Sequence, residues 1–66
     1  MEALTVSELA ELHNEARDLC RHPEHVHTVI VALGDEDYLA LRRFASASRV
    51  YRLSLAARAL IKRGVS

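Results

Sequence analysis

One stretch constrains this chain more than any other: residues 25–33, His-Val-His-Thr-Val-Ile-Val-Ala-Leu. It is the only segment with the composition of a β-strand, since Val26, Val29, Ile30 and Val31 are β-branched. Helical patterns flank it on both sides. A lone strand cannot satisfy its own backbone N–H and C=O groups. The chain offers no second strand, so the stretch predicts pairing with a second copy, in a homodimer. Alternation sets Val26, Thr28, Ile30 and Ala32 on one face and His27, Val29, Val31 and Leu33 on the other. Both faces are largely apolar, which predicts cover on both sides.

The length strengthens the demand for a partner. The 66 residues make one domain, and a chain of this size buries only about 60% of its unfolded surface. Small domains add disulfides, a metal or a second subunit. Cys20 is the only cysteine, so no intrachain disulfide forms, and a lone thiol suits a reducing cytoplasm. No run approaches the roughly 20 apolar residues of a membrane span, and the N-terminus lacks a basic leader region. A cytoplasmic protein without membrane partners is expected. Half of the residues are hydrophobic, which argues against disorder.

The rest of the chain reads as helix. Thr5 and Glu8 form a capping box, with Leu4 and Leu9 at the staple positions. Leu9, Leu12, Ala16, Leu19 and Cys20 recur at helical spacing as an apolar stripe. Glu8, Glu11, Glu15 and Asp18 are read onto the other side. Pro23 biases His22 away from helical angles, so the first helix should end near Arg21. A second helix should begin after Gly34, an acceptable N-cap, with Asp35, Glu36 and Asp37 complementing the positive dipole end. Tyr38, Leu41, Phe44 and Ala45 make its expected buried stripe, with Arg42 and Arg43 outside. The weak helix formers at 45–49 hold the expected turn. A third helix should run from about Tyr51 to Arg63. Its broad apolar face comprises Leu53, Ala56, Ala57, Leu60 and Ile61, with alanines that permit close helix approach. Gly64 fits the position just past its end. The order predicted is helix, strand, helix, helix: an amphipathic helix over 1–22 and a core over 25–64.

Charge is zero in sum and uneven in place. Glu2, Glu8, Glu11, Glu15, Asp18 and Glu24 precede residue 25, against Arg17 and Arg21. Arg49, Arg52, Arg58, Lys62 and Arg63 follow residue 48 without an acid. Such asymmetry fits a basic nucleic-acid face opposite an acidic protein face, head-to-tail complementarity between subunits, or two solvated helix surfaces.

From about Thr28 onward the pattern resembles the ribbon-helix-helix regulators of bacteria and phages. The carriers are the strand ending at Leu33, the acids at 35–37, core positions Leu41, Phe44 and Ala45, a turn near Arg49 and Val50, and a helix with Leu55, Ala59 and Leu60. The resemblance covers a little over half the chain without a gap and rests mostly on hydrophobic spacing. It implies a mainly α fold whose strands pair across a homodimer as an antiparallel ribbon laid in a DNA major groove. If Val29, Val31 and Leu33 face the core, the outward positions are Thr28, Ile30 and Ala32. His27 and Thr28 would then lie nearest the bases, with Ile30 able only to touch thymine methyls, a poor reading set. The phosphate clamp that the resemblance implies falls on Arg49, Tyr51 and Arg52. The first helix is an addition to the family pattern, and its apolar stripe could cover the outward ribbon face.

Other chemistry is thin. Cys20, His22, His25 and His27 gather potential zinc ligands, but at no recognised spacing. No glycine-rich loop, activated serine or acid pair in a cleft suggests an enzyme, a small-molecule substrate or a cofactor. Tyr38 and Tyr51 are read as packing residues. The leading expectation is a small DNA-binding transcriptional regulator, such as an autorepressor or antitoxin. The alternative is a small phage or mobile-element protein that inhibits a host protein complex, in the manner of anti-CRISPR proteins. Glu8, Glu11, Glu15, Asp18, Asp35, Glu36 and Asp37 would then be its DNA-mimicking surface.

Overall fold

A computed structural model describes residues 2–65, with side chains up to residue 64. Three α-helices follow one another: α1 at Val6–Arg21, α2 at Asp35–Ala47 and α3 at Leu53–Val65. A single 3-10 turn, Pro23–His25, follows α1.

Local chemistry accounts for the helix ends. At α1 both halves of the capping box are made: Thr5 Oγ1 accepts from the Glu8 N–H at 3.2 Å, and Glu8 Oε1 accepts from the Thr5 N–H at 3.1 Å. Gly34 caps α2, its carbonyl accepting from the Tyr38 N–H. The end of α2 is a Schellman motif. The Val50 N–H donates to the Ala45 carbonyl at 2.9 Å and the Arg49 N–H to that of Ser46 at 3.1 Å. Arg49 occupies the left-handed position of the motif, with φ of 57°, where glycine is the residue without a steric penalty. The Arg52 carbonyl then accepts the first bonds of α3.

The core is small. Leu12 from α1 meets Phe44 and Ala45 from α2 and Ala56 and Ala59 from α3, with Leu4, Leu41, Leu53 and Leu60 packed around them. Leu12 is the only fully buried residue of α1. Ser48 is also buried, and its Oγ accepts from the Leu4 N–H at 2.9 Å, tying the N-terminal segment to the α2–α3 turn. Ion pairs flank Leu12. Glu15 binds Arg58 at 3.1 Å and also Lys62, and Glu8 binds Arg63 at 3.2 Å. Arg63 further donates to the Glu2 and Ala3 carbonyls and lies over the Phe44 ring.

Several expectations are corrected. The helix-strand-helix-helix ribbon fold is not formed: among the described residues there is no strand and the architecture is all-helical. Residues 26–34 carry strand-like side chains but make no ladder, because a ladder needs a second backbone and the chain has none to offer. The first helix does not cover the Ile30 and Ala32 face; it docks on α2 and α3, and Ile30 stays 95% exposed. Cys20 lies exposed rather than in the α1 core stripe, and Tyr38, expected in the buried stripe of α2, is 42% exposed. Helix α3 begins two residues later than expected and runs through Gly64, which is therefore helical rather than a terminator. No helix of the described residues is long and apolar enough to cross a membrane.

Candidate nucleic-acid interface

The docking of α1 sorts the charges. On a helix, Glu8 and Glu15 fall about 40° and 60° from Leu12, at roughly 100° per residue. They therefore border the docking face and meet the basic stripe of α3. Both carboxyls sit below the ordinary glutamate range. For Glu8 the chief cause is the hydrogen bond from the Thr5 backbone, with Arg63 adding to it. For Glu15 it is the hydrogen bond from Lys62, with Arg58 adding to it. These contacts use Arg58, Lys62 and Arg63 within the chain.

What remains at the opposite end of α3 is different. The α2–α3 connection carries Arg49 and Arg52, both exposed, with Tyr51 fully exposed between them. Arg49, Tyr51 and Arg52 line one hollow of about 270 Å³ together with His13, Val50 and Leu55. A neighbouring open cleft of about 660 Å³ shares Arg49 and Tyr51 and adds Tyr38, Arg42 and Ser46. Within it the Arg42 guanidinium lies 5.8 Å from the Tyr38 ring centroid, within cation–π reach. Among the described residues, Arg42, Arg49 and Arg52 form no ion pair.

The structure thus brings the three expected clamp residues, Arg49, Tyr51 and Arg52, into one place and adds Arg42 and Tyr38. The signal for that addition was the i, i+4 spacing of Tyr38 and Arg42. His27 shares a separate groove with Arg52, between the C-terminal half of α1 and the start of α3. Thr28 and Ile30 lie on the exposed 26–34 segment, away from both clefts.

The acidic set is divided. Glu8 and Glu15 face α3, whereas Glu11, Asp18, Asp35, Glu36 and Asp37 are exposed without an ion pair among the described residues. In the histidine-rich turn, Glu24 Oε1 lies 3.4 Å from His22 Nδ1 and 3.8 Å from His25 Nε2. Among the described residues no group of three His, Cys, Asp or Glu side chains is arranged to hold a metal ion.

No known protein family, curated protein or solved structure matches the chain.

Proposed function

We propose that this chain is a small DNA-binding protein that grips the phosphate backbone with the arginine and tyrosine residues at its α2–α3 end. The observation that carries the reading is the sorting of charge. The basic residues along α3 are held by α1. Among the described residues Arg42, Arg49 and Arg52, like Arg17, Arg21 and Arg43, have no ion pair, and they are the ones gathered around two exposed tyrosines. Guanidinium groups suit phosphate because they present several donors in a planar fork. Arg49 and Arg52 offer two such forks in the hollow that Tyr51 also lines. With no ribbon to enter a major groove, sequence is not read by a strand, and the contacts are to backbone. A regulatory role, as repressor or antitoxin, would rest on that affinity.

The test is a titration of a labelled random-sequence duplex with the full chain at stepped salt. Binding should weaken steeply as salt rises, because each neutralised phosphate releases counterions. Arg49→Ala with Arg52→Ala should weaken binding at least about tenfold and flatten the log–log salt slope by about 2, one phosphate contact for each arginine. Arg43→Ala, outside both clefts, should change little. Equal binding by wild type and the double variant would refute the clamp, and no binding at low salt would refute the function.

A further inference from the structure

The surface of this chain is too large for its mass. Its accessible area is 5683 Å². A compact monomer of 7.4 kDa exposes about 4,200 Å² by the scaling of folded proteins. The excess is about 1,500 Å², and a stable interface of standard size removes roughly 800 Å² from each partner. Part of the exposed apolar surface lies together. Val29, Val31 and Leu33 on the 26–34 segment face Leu41 of α2 and Ala57 and Ile61 of α3 across an open groove of about 450 Å³. Val29 is 77% exposed, Val31 67% and Ile61 64%. Contiguous apolar patches on this scale mark interaction sites.

The occupant we infer is a second copy of this chain, seated groove to groove about a two-fold axis. Two observations favour self-association over a foreign partner. Asp37 is the only charged residue lining the groove, so the face carries no charge pattern by which to recognise an opposite one, and a near-neutral face does not repel its own copy. The whole chain has no net charge at neutral pH, so long-range repulsion does not oppose pairing. An isologous contact needs one self-complementary patch on each copy, which a nearly uncharged apolar groove supplies. The contact is made by side chains of α2, α3 and the odd-numbered positions of the segment, and a sheet forms no part of it. It shares only Leu53 with the arginine clefts and none of their arginines or tyrosines, so it can be tested without nucleic acid.

The experiment is the molar mass of the full chain by light scattering, with thermal unfolding followed over the same concentrations. Wild type should weigh about 15 kDa, twice the single chain, and its Tm should rise with concentration by mass action. Val31→Glu with Ile61→Glu should give the single-chain mass. Ile30→Glu, at an exposed position outside the groove, should leave the mass unchanged. Both replaced side chains are exposed in a single chain, so loss of helix in the double variant beside a dimeric wild type also supports the contact. Wild type at the single-chain mass up to about 0.5 mM overturns the inference, that being weaker than a specific dimer of this area. A double variant that stays dimeric, or an Ile30→Glu chain that does not, overturns it as well.

Discussion

Leu12→Ala should come close to unfolding this protein. Helix α1 has one fully buried side chain, Leu12, 3% exposed. The buried residues it clusters with are Phe44 and three alanines, Ala45, Ala56 and Ala59, with Leu4, Leu41, Leu53 and Leu60 only partly buried around them. Methyl side chains have no rotamers with which to reach into the space that Leu12 leaves. The cavity term should therefore persist, and within the 2–5 kcal/mol range for such substitutions a loss of about 3 kcal/mol is expected. A chain of this length has about 3–10 kcal/mol of stability in all. The ion pairs beside Leu12 do not compensate, because partly exposed pairs contribute little. The assay is urea denaturation followed by helical circular dichroism, at one fixed chain concentration so that any association is constant. Val6→Ala serves as control: Val6 is 84% exposed, and its loss should stay within about 0.5 kcal/mol. A Leu12→Ala chain within about 0.5 kcal/mol of wild type, at unchanged slope, would refute the docking of α1 on α2 and α3.

Three further outcomes follow from particular residues. The Glu8 and Glu15 carboxyls titrate below their ordinary value in the folded chain, so their contribution is complete above about pH 4.3 and is lost as the pH falls through and below it; Glu8→Gln with Glu15→Gln should flatten stability against pH in that window. Gly64→Ala should stabilise the chain by about 0.5 kcal/mol, because Gly64 is helical, has no positive φ and has open space where the alanine methyl would sit; a loss of stability in urea denaturation would mean that Gly64 is a left-handed terminator after all. Arg49→Gly should raise stability by about 1 kcal/mol by removing the left-handed penalty while weakening DNA binding in the duplex titration, so a change of the same sign in both would refute the role given to Arg49.

The starts of α1 and α2 were legible because their determinants are local. Thr5 and Glu8 are three residues apart, and both bonds of the expected box are formed. Gly34 and the acids after it open α2 where expected, and Pro23 closes α1 near Arg21. The stretch at 25–33 misled because strand composition is a local property and a strand is not. β-branched residues favour extended backbone, but a ladder exists only where another backbone supplies its other half. Gly64 misled in a similar way: glycine permits a helix to end without requiring it. For the candidate site, Arg49, Tyr51 and Arg52 were legible as a group because they are neighbours in sequence. Tyr38 and Arg42 join them because positions 38, 42 and 49 fall on one face of α2 and its C-terminal turn, a spacing that was open to reading in the sequence. The inward turn of Glu8 and Glu15 was within reach, since the helical wheel puts them at the edge of the Leu12 stripe rather than opposite it.

A chain without net charge is a poor candidate for a polyanion only if its charges act together, and here they do not. Helix α2 runs from the acids at 35–37 toward Arg49. At 1.5 Å per residue, Asp37 and Arg49 are separated by about 18 Å along the helix axis. The screening length at physiological salt is about 8 Å, so the acids at one end barely reduce the potential at the other. Glu8 and Glu15 are already neutralised by α3. The field near Tyr51 is therefore mainly that of Arg49 and Arg52, whereas Arg42, about 7.5 Å along the axis from Asp37, stays within reach of the acids. When salt is lowered toward 10 mM the screening length grows to about 30 Å, and the distant acids begin to oppose the arginines. The gain in affinity on lowering salt should for that reason fall short of the straight line extrapolated from physiological conditions. A uniformly basic protein, with no acids to unmask, would follow that line.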